Sequence, residues 1–537
     1  MRALAGITFA AIVSGTVFGQ SSDTVPRFEV ADVHRSARAT NPYTYMSGGV
    51  LRGDRYDLRK ATMLDLIRIA YGVDPDTVLG GPNWLELDRF DISAKAPPST
   101  PQETIKLMLQ ALLADRFKLV FHKDTKPLPA FALTLGNGKP KLKEADGSGN
   151  PECQYQPQPG TAAYTIYSCR RITMDAFARE LRRMAGDYLT SPVLDSTGLE
   201  GAWDFDLKWN WRSQALPSGA ERTTIFDAID KQLGLALALQ KAPAPVLVID
   251  RVNEKPTDNL PGVAQMLPPR ELEFEVADLK RSRTDEKDGP LRISSGGGLE
   301  ARAVSMRILV ATAWDIDWDH VDEMIAGLPK WAGSAYFDIN AKTSTATNGP
   351  PLAGSGFIDD DVRLMLRALL IDRFRMKTHY EDRLTNAYTL VAAKPKLKKA
   401  DPTNRAHCQE ARVVANDPRD INPRLSRLVT CQNTSMAQFA EQLLRLAPGY
   451  IASEVADATG MGGGWDFTLS FSPSYLLQGP GGDAGPPASY GPTASDPNGG
   501  ISLADAISKQ LGLKLDMRKR MIPILVIDHI EEKPADN

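Results

Sequence analysis

Two short stretches place an acid just ahead of Thr-Gly, one in each half of the 537-residue chain: Asp195-Ser196-Thr197-Gly198 and Asp457-Ala458-Thr459-Gly460. One carboxylate from each half could share a proton and activate water, as the paired acids of a bilobal aspartic protease do. Each stretch has one residue too many between Asp and Thr-Gly, which displaces the tight turn that presents such a carboxylate. The spacing favours a plain turn before a strand, with Asp bonding its own backbone and Gly at positive φ.

Two histidines also stand at matching places. His122 and His379 each lie seven residues beyond the acid of an Asp-Arg-Phe triplet, Asp115 and Asp372. Another acid follows two residues on, Asp124 and Glu381, on the same face if the stretch is a strand. A general base oriented by a carboxylate is the chemistry this spacing allows. No Ser or Cys nucleophile is identifiable beside either, so a structural histidine is the preferred reading. His34, His320, His407 and His529 have no counterpart between the halves. No zinc or haem ligand spacing is present, and no cofactor is expected. Gly296-Gly297-Gly298 lacks the helix signal of a phosphate loop. The lysine runs around Lys141 and Lys398 read as solvated loops.

The elements that must position these residues come in duplicate. Phe28 to Val33 returns as Phe274 to Leu279, and Val246 to Asp250 with Glu254-Lys255-Pro256 returns as Ile524 to Asp528 with Glu532-Lys533-Pro534. Thr62-Met63-Leu64-Asp65 predicts a capped helix with Met63, Ile67, Ala70 and Tyr71 on one face, echoed from Ser305-Met306. Thr100-Pro101-Gln102-Glu103 predicts a second helix with Thr100 as its cap, burying Ile105, Met108, Leu109 and Leu112. Short strands are expected at Lys118 to His122 and at Ala130 to Leu135. Further helices are expected at Met174 to Met184 and Met436 to Leu446, and a C-terminal helix cap at Gln232-Leu233-Gly234-Leu235. Short connections between strands suit antiparallel pairing. The expected fold is α+β, two tandem homologous modules of mixed, largely antiparallel sheet with packed helices. The expected spans are 25–259 and 271–537, joined by a Pro-rich linker at 260–270, with 479–500 as a Gly/Pro-rich insertion.

Four cysteines fall in pairs at matching places, Cys153 with Cys169 and Cys408 with Cys431. One pair per module selects these two disulfides from three formal connectivities. Met1-Arg2 followed by the apolar run Leu4 to Phe18 reads as an export signal, cut near residue 19. Disulfides and an export signal agree on a compartment outside the cytoplasm. No later stretch is long and apolar enough to span a bilayer. A formal net charge of −3 argues against a general nucleic-acid binder.

The combined order of Phe-Glu-Val-Ala, Gly80-Gly81-Pro82-Asn83-Trp84, Arg89-Phe90-Asp91-Ile92, Leu113 to Leu119, Asp195 to Phe205, Gln232 to Leu235 and Val246 to Pro256 resembles the soil-associated protein family. The resemblance implies a bacterial, secreted domain of unknown function in two copies, and it brings no catalytic residues. The second copy departs at Leu328-Pro329-Lys330-Trp331, which lacks the Gly-Gly-Pro. The leading expectation is a non-catalytic binding or scaffolding protein of the bacterial envelope whose partner is a protein, a peptide or an envelope polymer. A hydrolase using the His/acid or paired-Asp groups, and a sensory or assembly module, are the alternatives.

Overall fold

The computed structural model describes residues 25–37, 46–146, 150–156, 164–211, 222–270, 272–283, 287, 289–293, 298–343, 360–402, 404–410, 425–477 and 499–535. The expected export signal at 1–19 and nearly all of the 479–500 insertion lie outside these residues.

In the first module the order is β1 (Val30–Arg35), β2 (Ser47–Arg52), β3 (Arg55–Thr62), α1 (Met63–Tyr71), β4 (Val78–Gly80), β5 (Arg89–Lys95), α2 (Gln102–Arg116) and β6 (Val120–Leu135). It continues with β7 (Lys143–Glu144), β8 (Glu152–Tyr155), β9 (Thr165–Ile172), α3 (Met174–Met184), β10 (Val193–Asp195), β11 (Trp203–Trp209), α4 (Ile225–Ala228, running into a π-turn at Ile229–Leu233) and β12 (Leu235–Arg251). A short helix, α5 (Val263–Met266), lies in the stretch expected to be a plain linker.

The second module repeats this with β13 (Val276–Arg281), β14 (Leu291–Ile293), β15 (Leu299–Ser305), α6 (Met306–Ala313), α7 (Val321–Met324), β16 (Ile325–Ala326), β17 (Tyr336–Lys342), α8 (Asp360–Arg373) and β18 (Lys377–Ala392). Then follow β19 (Lys398–Lys399), β20 (His407–Glu410), β21 (Arg427–Thr434), α9 (Met436–Leu446), β22 (Ala456–Asp457), β23 (Trp465–Phe471), α10 (Leu503–Ala506) and β24 (Leu513–His529). The α+β class and the two homologous modules are as the sequence predicts.

Each module is itself duplicated, which the sequence reading did not find. Four small sheets have the same order: β1-β5-β3-β2, β7-β11-β9-β8, β13-β17-β15-β14 and β19-β23-β21-β20. The third strand of each bulges opposite one acid of the neighbouring strand, and the second bulge residue takes a left-handed conformation. These residues are Lys60 (φ 53), Arg171 (φ 51), Ala303 (φ 49) and Asn433 (φ 43). Each donates its N–H to that acid, Lys60 to Asp91 (2.8 Å), Arg171 to Asp204 (2.8 Å), Ala303 to Asp338 (2.9 Å) and Asn433 to Asp466 (2.9 Å). The bulge turns the strand directly into a helix capped by Thr62, Thr173, Ser305 or Ser435. After each long strand a Lys-Pro pair folds the chain back. The next N–H, from Lys141, Thr257, Lys396 or Ala535, donates to a carbonyl at a helix end, on Leu233, Arg116, Leu511 or Arg373. Those carbonyls have no partner inside the helix, so the returning chain supplies one.

The half-units interlock through a long antiparallel ribbon. β6 and β12 pair along almost their whole length, as do β18 and β24. The start of β6 and the end of β12 close the first core, with Leu247 and Ile249 packed among Met63, Phe90, Leu109 and Phe117. The other end closes the second core, with Phe131, Leu133 and Leu235 among Phe177, Leu181, Phe205 and Trp209. The two strands expected at 118–122 and 130–135 are therefore one strand of 16 residues. Pro127 and Pro129 hid its continuity. Proline is tolerated there because the middle of the ribbon is only two strands wide, so half of its backbone groups have no ladder to break. The second helix also departs from expectation. Pro101 stands at its cap position without a side-chain bond, and Thr100 Oγ1 instead donates to the Pro97 carbonyl (2.6 Å).

Both expected disulfides form, between residues directly opposite each other: Cys153 with Cys169 across β8 and β9, and Cys408 with Cys431 across β20 and β21. Replacing both Cys153 and Cys169 by Ser should lower unfolding stability by about 3 kcal/mol in the chain-entropy account of such a loop. Denaturation of oxidised and variant chains checks this; equal midpoints would contradict it.

Candidate functional site

The acids of the two Asp-x-Thr-Gly stretches serve their own turns. Asp195 Oδ1 accepts from the Thr197 N–H (2.9 Å) and hydroxyl (2.8 Å), and Asp457 Oδ1 accepts from the Thr459 N–H (2.8 Å). They end β10 and β22, which are outer strands of two different sheets. No hydrogen bond joins the two acids among the described residues.

The histidines lie near one end of each ribbon, but not with the acids the spacing suggested. His122 Nδ1 is 2.9 Å from Asp250, and His379 Nδ1 is 2.9 Å from Asp528. Asp124 pairs with Lys126 and Glu381 with Arg383 instead. The cause is a bulge near the end of β12 and of β24. The register slips at Asp250 and Asp528, and each carboxylate reaches the histidine of the facing strand. All four side chains are about half exposed, so each pair contributes little to stability. The Asp-Arg-Phe triplets are structural as well. Arg116 donates to the carbonyls of Thr257 (2.6 Å) and Ala31 (3.1 Å) and to Asn259 Oδ1 (2.6 Å), tying the returning chain to β1. Among the described residues, no three His, Cys, Asp or Glu side chains gather as a metal-ion site.

Sequence reasoning missed the seam between the modules, where residues more than 200 positions apart meet. Glu86, beside the buried Leu85, accepts from Arg405 Nε (2.6 Å) and faces His407 Nδ1 (2.8 Å), and Arg405 also donates to the Val78 carbonyl (2.8 Å). Burial pushes the Glu86 carboxyl up, but the His407 contact and the Arg405 charge outweigh it and hold the group below the usual range. A polar cleft of about 190 Å³ opens beside it, lined by Asp65, Glu86, Arg89, His407, Gln409 and Arg445. A second cluster lies nearby. Lys60, the left-handed residue of its bulge, is 3.1 Å from Asp315 and 3.8 Å from Asp360, while Arg52 and Arg270 both pair with Asp361. Asp88, beside Arg35 and Glu254 and within reach of the Glu441 charge, is pushed up to about 6, chiefly by burial.

The seam should weaken in acid. The Glu86 carboxyl is held below its unfolded value, so its contribution is present above that value and is lost as pH falls through the folded one. Glu86→Gln should cost about 2 kcal/mol at neutral pH, between an exposed pair and a buried one. Calorimetry of this variant should show two separated transitions; one unshifted transition would contradict the seam's role.

A family model described as a protein of unknown function (DUF3738) matches residues 64–252 and again 307–530. No curated protein and no solved structure matches the chain.

Proposed function

The chain belongs to the DUF3738 family in two tandem copies, and from that premise we propose that it is a non-catalytic binding or scaffolding protein of the bacterial envelope. One observation carries this reading. Among the polar residues that recur between the modules, Asp195 and Asp457 are taken up by their own turns and Arg116 by the returning chain, while His122 and His379 keep half-exposed pairs with Asp250 and Asp528. No hydrogen bond among the described residues joins Asp195 to Asp457, as two acids sharing a proton would require, and they end strands of different sheets.

One feature supports a place outside the cytoplasm: both cysteine pairs are bridged, as suits an oxidising compartment. The seam cleft and the long ribbons are the surfaces open to a partner.

The test pairs capture with turnover. Immobilised full chain should retain a saturable component of a bacterial envelope fraction, and H122A/H379A should retain it equally. Hydrolysis of ester, amide or glycosidic substrates by the wild type, lost in H122A/H379A or in D195N/D457N, would overturn the reading.

A further inference from the structure

The two ribbons share one fold but differ where they are bare. In each, the middle of the ribbon lies beyond the reach of the short outer strands: β4 pairs with β12 only at Leu247–Ile249, and β16 pairs with β24 only at Ile325–Ala326 opposite Leu525 and Val526. Among the described residues, no backbone hydrogen bond other than those to β18 involves 514–521 of β24. A row of peptide groups there faces outward.

In the first ribbon that row is blunted. Pro243 of β12 stands in it, opposite Pro127 of β6, and proline cannot donate to an added strand; Pro245 beside it is matched by Pro523 of β24, so Pro243 is the difference. Counting from the matched pairs His122 with Val248 and His379 with Val526, the second ribbon has Leu384 opposite Met521 at the same place. These side chains are 61% and 59% exposed. Met517, four residues before Met521, is exposed as well, and its cross-strand partner is Tyr388.

The charge differs too. Residues 514–521 carry Lys514, Arg518, Lys519 and Arg520 against the single acid Asp516. The matching stretch of the first ribbon, 236–243, has Lys241 alone. Asp516 is taken up by Lys514 (2.6 Å) and Arg518 (3.4 Å), and Arg520 is held by a neutral carbonyl, that of Glu454 (2.8 Å). Positive charge is left over along the edge. Alternation puts Arg518 and Arg520 on one face, with Met517, Lys519 and Met521 on the other.

We propose that the open edge of β24 binds an acidic, extended peptide by strand addition. Main-chain bonds to 514–521 supply the pairing. Alternate acidic side chains lie along Arg518 and Arg520, and the intervening apolar ones lie over Met517 and Met521. The inference names the partner class for the binding reading and rests on it. Four cations among apolar side chains could also attract a polyanion or an anionic lipid surface. The open backbone edge favours the peptide, since strand addition uses it and the other two do not.

The probe is a labelled, end-blocked peptide of alternating Glu and Leu, titrated into the full chain by fluorescence anisotropy, with a Lys-Leu peptide and a Glu-Pro peptide as controls. The Glu-Leu peptide should bind at least about ten-fold more tightly than either control. R518E/K519E/R520E should weaken it by about ten-fold or more, and M521P, which copies the first ribbon, should do likewise while keeping the wild-type melting behaviour. Several results would overturn the proposal: equal binding of the Glu-Pro peptide, tighter binding of a single-stranded oligonucleotide or of anionic vesicles, or self-association of the chain that R518E/K519E/R520E abolishes. Loss of peptide binding alone, with capture from the envelope fraction intact, would sink this inference and spare the binding reading.

Discussion

Asp91→Ala should destabilise the first module by about 3–5 kcal/mol, the cost of removing one partner from a largely buried, charge-paired cluster. Asp91 accepts from the Lys60 N–H (2.8 Å) and the Ser36 hydroxyl (2.7 Å), and it faces Arg59 (3.4 Å) and His34 (3.7 Å). Burial pushes its carboxyl up, but the nearby His34, the hydrogen bonds from the Lys60 N–H and Ser36, and the Arg59 charge hold it well below the usual carboxylate range. Its stabilisation is therefore present above the unfolded value and lost as pH falls through the folded one. His34 runs the opposite way. The nearby Asp91 carboxylate, with Asp32, outweighs burial and raises it from its ordinary value of 6.5, so its stabilisation is complete below that value and fades as pH rises through the folded one. In the variant the Asp91 dependence should vanish and the His34 one should shrink, since Asp32 still faces His34 at 3.5 Å. Urea midpoints measured from pH 3 to pH 8 check this, and a variant curve parallel to the wild type would contradict it. Asp338→Ala removes the same bulge bond in the second module and should cost less, about 1–3 kcal/mol for one unsatisfied N–H.

Phe117→Ala should cost about 4 kcal/mol, as expected for emptying the site of a buried aromatic ring. Phe117 is fully buried and stands edge-on to Phe90 at 4.9 Å, and Phe90 in turn meets Trp84 at 6.1 Å. Its carbonyl accepts from the Asn253 N–H (2.7 Å), so the cavity would open beneath the point where the returning chain is anchored. Leu239→Ala, on a ribbon side chain that is 62% exposed, should shift the denaturation midpoint hardly at all. A comparable loss at both positions would mean that the core is placed wrongly.

The duplication between the halves was legible because whole stretches recur, from the Phe-Glu-Val-Ala starts to the Lys-Pro endings. Caps were legible for a local reason: Thr62 and Ser305 each reach an N–H three residues on, within the span that sequence patterns cover. The second duplication was not. Between half-units the core exchanges Phe90 for Trp203, Phe117 for Leu233 and left-handed Lys118 for Gly234, so volume and backbone conformation persist while identity does not. The landmarks that do persist, Thr/Ser-Met, Phe/Trp-Asp and Lys-Pro, are only two residues long each. The histidine partners were misread because a bulge at Asp250 and Asp528 changes the register, and periodicity within one strand carries no information about that. The seam was invisible for a further reason: Glu86, Arg405 and His407 meet only after two modules dock, and no repeat links them.

The residues kept by duplication serve the fold, and what binds should lie where the modules differ. The measurement that tests this most directly is the affinity of the full chain for its captured envelope partner, compared between a matched variant, H122A/H379A, and an unmatched one, R518E/K519E/R520E. The matched variant should bind within about two-fold of wild type, and the unmatched one should lose about ten-fold or more. Loss in the matched variant, with the unmatched one unchanged, would contradict this.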